Sequence, residues 1–415
     1  MTSTALPPKD KDRESRPAKF WPHDLVFGLA PFVLVIQALI WFFYLPLGLR
    51  GVADFRSFYT GAYMIRTGHG GELYDFETQM RFHRQLLPEA AARSSVTMNH
   101  PAYEELLFLP LSMLPYRAAF WIFFTVNLGL LAVSLRLLWP YLRRMTERWS
   151  WFPVLLCAEF FPLSRTILQG QDSILLLALL CAAFVLLERE QPVAAGLLVG
   201  CGMFRYQIVI PIVVLYMLWR RWKFVAGFAV STALAACVSL LMVGIHGAIA
   251  YAKYTHAVSL GMATEGDMMR YNISPLTMLN LRGLISGVLW GRASHFWTQA
   301  LIFVASALVI LLASRLKPSL PIAIVAASLV SYHFLAHDAS IWLIPIFAAL
   351  CGTSVSEALL GVGMLIGPFA AINLAEGIHS HAYLGAIPLL GLFLLKLATG
   401  QNADFGCRHV PGLKP

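Results

Sequence analysis

"LVFGLAPFVLVIQALIWFFYLPLGLRGVADFRSFYTGAY" occupies residues 25–63. Residues 25–48 are almost wholly apolar, and about 20 such residues are what a helix needs to cross the hydrocarbon core of a bilayer. The run then meets two formal charges, Asp54 and Arg56, set among Phe55, Phe58, Tyr59 and Tyr63. A chain that leaves lipid here does so into an aromatic segment carrying an acid and a base.

Comparable apolar runs recur along the whole sequence. Of the 415 residues 58% are hydrophobic and only 13% are charged, against roughly 25% charged in a soluble globular chain. Backbone inside lipid must satisfy its own hydrogen bonds, so the spans are helices or a closed barrel. The runs are continuous rather than alternating, which selects helices. The expectation is an all-α polytopic membrane protein with about 10–12 transmembrane helices. Spans are expected near 25–48, 117–139, 151–168, 173–187, 224–244, 296–313, 321–336, 340–352, 358–374 and 383–399. Two short helices meeting near Arg205 fill the stretch between "ERE" at 188–190 and "RRWK" at 220–223.

The first run is too long for a signal-peptide core and lacks a small-residue cleavage site after it, so it reads as an uncleaved span. Residues 1–24 read as a disordered cytoplasmic segment, 25–399 as one transmembrane domain and 400–415 as a cytoplasmic tail. The net charge of +9 fits basic loops held on the cytoplasmic side. No basic, aromatic-interleaved soluble domain is present to bind nucleic acid. The six cysteines, mostly within apolar runs and without a CxxC pair, read as core residues rather than a disulfide framework or a zinc site.

With the N-terminus inside, residues 49–105 form a long outer loop. Phe55, Phe58, Tyr59 and Ala62 follow the i, i+3, i+4, i+7 spacing of an amphipathic helix, and a second helix is expected from about Asp75 with Phe76, Met80 and Leu87. Such helices lie along a membrane surface. Asp54, directly before the first pattern, is in position to act as an N-cap.

Polar residues gather at the outer ends of the predicted spans: His100 with Glu104 and Glu105, Gln169 with Gln171 and Asp172, Arg205 with Gln207, Arg270 with Asn272, and His333 with His337 and Asp338. Ionisable groups against a membrane are costly, so they are functional candidates by default, and their common depth suggests one polar cavity. His333 and His337, four apart, would share a helix face and with Asp338 would allow a metal site. No third ligand is identifiable, and no metal or cofactor is assigned. Glu159 and Arg165 are expected to pair with each other.

Taken in order, "DFRSFYTGAYMIRTGHGGELYD" (54–75), "HPAYEELLFLPLSMLPYRAAFWIF" (100–123), "GQDSILLLAL" (170–179), "AAGLLVGCGMFRYQIVIPIVVLYMLWRRWK" (194–223) and "NISPLTMLNLRGL" (272–284) resemble the family 87 glycosyltransferases, integral-membrane enzymes of the GT-C type. Relatives usually carry Pro-Pro where this chain has His100-Pro101, Asn soon after the Gly-Gln pair where it has Asp172-Ser173, and Lys where it has Arg205. The resemblance implies a sugar donor hung from a polyprenyl phosphate, inversion at the anomeric carbon, and a catalytic carboxylate at Asp54. It implies a glycolipid or polysaccharide acceptor, with mannose the commonest sugar among relatives, and action at the outer face of a plasma membrane. Arg205 is then the first candidate for the donor phosphate, with Arg56, His333 and His337 as alternates and Tyr59, His100, Gln171, Asn272 and Asp338 as further substrate-binding candidates. Two other functional classes fit the same composition: a transporter or flippase, and a non-catalytic partner in envelope-polysaccharide assembly.

Overall fold

A computed structural model describes residues 22–92, 96–147, 149–259, 274–352, 354–373 and 381–400. The terminal segments expected to be cytoplasmic, apart from Pro22, His23, Asp24 and Gly400, lie outside the described residues, as do Arg270 and Asn272. Within them the chain is helical, with no strand. Seven stretches are long and apolar enough to cross a membrane, and three more apolar helices are shorter. The all-α polytopic expectation therefore holds; one of the seven stretches, Pro192–Leu218, is two short helices folded back at Arg205, so short helices supply part of the 10–12 expected.

The first two long spans are α1 (Pro22–Leu49), the first run of the sequence, and, beyond α2 (Phe55–Arg66) and α3 (Phe76–Leu86) of the loop that follows it, α4 (Tyr116–Leu138). They turn apolar side chains outward: Phe32, Val35, Phe42 and Phe43 on α1 are all more than half exposed. In water such a surface would associate; against lipid it is the expected solvent contact.

The span expected near 151–168 is instead two short helices, α5 (Phe152–Glu159) and α6 (Phe161–Gln169). Phe160 between them is extended (φ −75°, ψ 96°), and Pro162 sits in the first turn of α6. Proline has no N–H to give a preceding carbonyl, so it opens a helix rather than continuing one. The break also separates Glu159 from Arg165, and these two form no ion pair. The Glu159 side chain instead leaves Oε1 buried without a partner among the described residues.

After α6 come α7 (Ser173–Glu188), α8 (Pro192–Cys201), α9 (Tyr206–Leu218) and α10 (Trp222–Ser259). The expected hairpin around Arg205 is present. Tyr216, near the end of α9, stacks on Phe224 at the start of α10, with ring centroids 3.9 Å apart. Gly196 near the start of α8 meets the same residue: a Cβ there would lie 2.0 Å from the Phe224 carbonyl oxygen. The start of α8 and the end of α9 therefore lie at one end of the bundle, with Arg205 at the other. α8 runs parallel to α10 along a seam of small residues. A Cβ at Gly227 would lie 2.0 Å from the Val193 oxygen, and one at Gly200 would lie 2.0 Å from Ser231 Oγ. Lipid supplies no hydrophobic drive between helices, so close backbone approach at small residues is what holds them.

The rest of the bundle is α11 (Leu281–Val288), α12 (His295–Ala313), α13 (Leu320–Val330), α14 (Leu343–Cys351), α15 (Val355–Asn373) and α16 (Ile387–Thr399). α7, α13 and α14 are apolar on nearly every side and buried, forming the centre of the core. A helix apolar all round belongs in an interior.

The outer loop departs from a surface-lying amphipathic pair. Phe55, Phe58, Tyr59 and Ala62 are buried as their spacing predicts, but so are Arg56, Ser57 and Thr60 on the other faces of α2. Phe58 stacks on Phe108 (4.6 Å) and Phe55 on Phe123 (5.5 Å), so α2 is the centre of a small aromatic core rather than a one-sided helix. On α3 the buried face is Gln79, Phe82 and His83 instead of Phe76, Met80 and Leu87.

The α8–α10 seam makes a prediction. Gly196→Leu should lower stability by about 1–3 kcal/mol or more through overpacking against backbone, whereas Gly129→Ala, with nothing within 4 Å of the added carbon, should be neutral. Thermal unfolding of the detergent-solubilised protein distinguishes the two.

Candidate active site

Polar residues from the span ends expected to face outward converge on Arg205. This residue closes the short turn between α8 and α9 and is 2% exposed. Its Nε donates to Asp172 Oδ1 at 3.1 Å, and its Nη2 also reaches that oxygen. Nη1 pairs with Asp338 Oδ1 at 3.3 Å. Nη2 donates to Gln171 Oε1 at 2.5 Å. One guanidinium thus joins the turn before α7, the tip of the α8–α9 hairpin and the segment between α13 and α14. Its planar fork suits two carboxylates at once.

Gln171 carries the network outward. Its Nε2 donates to Asp54 Oδ2 at 2.8 Å, and its backbone oxygen accepts from Asn127 Nδ2 of α4 at 3.1 Å. The local fold that presents Gln171 depends on Gly170, which ends α6 in the left-handed region (φ 61°). A Cβ on Gly170 would lie 2.6 Å from Phe55 Cβ. Glycine therefore serves twice here, for its backbone angle and for the approach of α2.

Asp54 stands at the N-cap position of α2 but does not cap it. Its own backbone is helical (φ −64°, ψ −25°) and its side chain makes no capping bond. A cap needs a residue outside the helical region whose side chain folds back. Asp75 is such a residue: extended, with Oδ1 accepting from Thr78 N at 2.8 Å. The Asp54 carboxylate is instead half-buried at a cavity of about 140 Å³, lined by Ile40, Tyr44 and Leu47 of α1 and by Arg165 and Gln169 of α6.

Other candidates lie close by. His337 Nε2 is 3.7 Å from Asp338 Oδ1, and its backbone oxygen accepts from Thr166 Oγ1 at 3.1 Å. His333 sits in the same segment, its oxygen accepting from Ser331 Oγ at 2.8 Å. The two histidines do not share a helix face, because α13 ends at Val330 and the chain is non-helical through 337. His100 Nδ1 pairs with Glu104 Oε2 at 2.8 Å. Burial and then the neighbouring Asp172 push the Glu104 carboxyl well above the usual carboxylate range, which favours its neutral form beside Asp172. His100, Glu104 and Asp172 each bring one possible ligand atom within 4.8 Å of the others. A cation there would share Asp172 with the Arg205 guanidinium.

Arg56 and Tyr59 lie in the aromatic core around α2, beside Asp54 rather than against Arg205. Tyr59 is 7% exposed and donates to the Leu114 oxygen at 2.7 Å. Arg56 is buried there, in electrostatic reach of Tyr116, of His83 and of Asp54 itself. Asn127 is not named from the sequence, Arg165 only as a partner for Glu159, and Gln169 only among the polar residues at the span ends. For Arg165 and Gln169 the usable signal is the last five residues of α6, which place a cation and an amide one turn apart before the Gly-Gln pair.

Two predictions follow from these contacts. Asp338→Asn leaves Arg205 short of a buried counter-charge and should cost about 3–5 kcal/mol of stability; Glu72→Gln, which breaks the exposed 3.8 Å pair with Arg81, should cost about 0–1 kcal/mol. Thermal unfolding reads both. His83, buried with Thr60 Oγ1 3.1 Å from Nδ1, is held neutral: burial and then Arg56 lower its pKa to about 3. The unfolded loop takes up a proton near pH 6.5, so stability is full above that pH and falls as pH drops from about 6.5 toward 3. Rate-corrected hydrogen exchange in α2 and α3 should quicken over that window, and His83→Gln should flatten the dependence.

Comparison with known proteins bears on this arrangement. No curated protein and no solved structure matches the chain. The model of glycosyltransferase family 87 matches residues 101–344, which contain Gln171, Asp172, Arg205 and Asp338. That stretch runs further toward the C-terminus than the motifs quoted above and leaves out residues 54–75. Covering more than half of the sequence, it places the chain in glycosyltransferase family 87.

Proposed function

We propose that this membrane glycosyltransferase takes a sugar, mannose being the first to test, from a polyprenyl-phosphate donor and transfers it with inversion to a glycolipid or polysaccharide acceptor. The observation that carries the reading is the Asp54 carboxylate: held by Gln171 on one oxygen, it faces a cavity whose other wall is the lipid-exposed helix α1. A base placed there meets a substrate whose tail stays in the bilayer. Asp54 Oδ1 accepts no hydrogen bond among the described residues and is the oxygen assigned to the proton.

In the proposed reaction the acceptor hydroxyl gives its proton to Asp54 while its oxygen bonds to the anomeric carbon. The bond from that carbon to the phosphate oxygen breaks, and the electron pair leaves with the polyprenyl phosphate. Attack opposite the leaving phosphate inverts the centre. Arg205, locked between Asp172 and Asp338, acts in this scheme by orienting Gln171 and so Asp54, rather than by touching the phosphate. His100, His333 and His337 remain candidates for the acceptor hydroxyls. The enzyme would be of the GT-C type and work at the outer face of a plasma membrane, with both termini cytoplasmic. Support for that sidedness comes from α7. It spans about 24 Å at 1.5 Å per residue, from Asp172 at the site to Glu188 beside Arg220, Arg221 and Lys223, and basic ends face the cytoplasm.

Asp54→Asn keeps the shape and removes the base. Sugar transfer from polyprenyl-phosphate donors in membranes should drop by about 10²–10⁴-fold at unchanged expression and thermal stability. Wild-type transfer by the folded variant would remove Asp54 from the role.

A further inference from the structure

Arg165 stands apart from the other charged groups near the site. It projects from α6 into the cavity at Asp54, yet among the described residues it has no ion pair or hydrogen bond, whereas Arg205 has all three nitrogens occupied. Gln169, on the same wall, has a buried Oε1 without a partner among the described residues. Asp54 and Arg165 line one cavity and still do not pair, since no carboxylate oxygen of Asp54 comes within 4.0 Å of the guanidinium. A carboxylate and a guanidinium left apart across a small cavity open between α1 and α6 leave room for a ligand with a polar head between them and an apolar tail along Ile40, Tyr44 and Leu47.

We infer that Arg165, with Gln169 beside it, binds the phosphate of a lipid-linked substrate and holds it on the side of the cavity away from Asp54. The inference rests on the glycosyl-transfer reading for what the lipid carries, but the anion site itself is a binding property. Arginine offers a planar fork that matches two phosphate oxygens, and in a cavity shielded from water a charge-assisted bond is worth more than in solution. The arrangement also divides the work by position: the base lies at one end for the acceptor hydroxyl, and the cation lies at the other, where negative charge grows as the phosphate leaves. Gln169 can turn its amide to donate to the same anion. Asn373 of α15, on the same cavity, has its amide nitrogen bonded to the Phe369 oxygen at 2.9 Å, so it frames the space without competing for the phosphate.

The test measures binding, not turnover. The full-length protein in nanodiscs is titrated with a polyprenyl monophosphate, with the matching polyprenol and with inorganic phosphate. Wild type should prefer the polyprenyl phosphate to the polyprenol. Arg165→Gln should weaken the phosphate ligand by about ten- to a hundredfold, a charged hydrogen bond's worth, and leave the polyprenol unchanged; Arg165→Lys should keep most of the affinity. Gln169→Glu, a second variant that places an anion in the same wall, should weaken it as well. Asp54→Asn should bind no more weakly than wild type, because it removes a repelling charge. If Arg165→Gln and Gln169→Glu are folded and both bind polyprenyl phosphate like wild type, the anion site is overturned, whatever Asp54→Asn does to transfer. If inorganic phosphate binds as tightly as the lipid, the lipid-headgroup assignment is overturned. If Asp54→Asn transfers sugar normally while Arg165→Gln has lost binding, the base assignment fails and the anion site stands.

Discussion

The contact on which the architecture turns is the buried guanidinium of Arg205 between Asp172 and Asp338. Three segments far apart in sequence meet there, and among the described residues Arg205 is the one cation that both carboxylates contact. Two carboxylates without the arginine would repel each other across a site sealed from water, and the arginine without them would be a bare cation among apolar helices. Desolvation of this kind is recovered only by close geometry and complete hydrogen bonding. The site has that on Asp338, whose second oxygen accepts from Leu335 N at 2.9 Å. The network ends at Asp54 by way of Gln171, so the position of one half-exposed carboxylate is set by charges buried deeper in the protein.

Much of this was legible in the residues. Continuous apolar runs announce helices because no other open structure survives in lipid, and the basic flanks of 188–223 foretell the hairpin at Arg205. What was misread shares one cause: a side chain's role was assigned from spacing before the local backbone was known. Asp54 has the right residue type and place for a cap, but its backbone is already helical and its side chain makes no capping bond, while Asp75, extended, does cap. His333 and His337 have helical spacing in a stretch that has left the helix. Glu159 and Arg165 fall on opposite sides of a break that Pro162 imposes. For the two arginines the pattern gave charge and depth but not partner: Arg205, the exposed-looking candidate at a span end, is locked in place, and Arg165, assigned a partner, faces the cavity.

The central helices are short for a reason connected with the site. α7, α13 and α14 are wrapped by other helices, so they need not match the thickness of the bilayer. Their ends can stop below the membrane face and leave space above. Asp172 and Asp338 occupy those ends, which is how charged groups come to be fully buried inside the helix bundle rather than exposed on a loop. The long, lipid-facing helices define the protein's height; the short ones define the depth of its chemistry.

The hairpin of α8 and α9 has a consequence for how the protein is made. Each arm is well below the ~20 residues that insert unaided, and the tip carries an arginine, a residue that membrane insertion disfavours by a few kcal/mol. Asp172 precedes that tip in the chain and is at hand when the hairpin emerges from the ribosome, whereas Asp338 is synthesised long afterwards. Until then Arg205 has one of its two counter-ions. The hairpin therefore reaches its final electrostatic state only when the last third of the polypeptide arrives, so biogenesis of the first half is completed by the second.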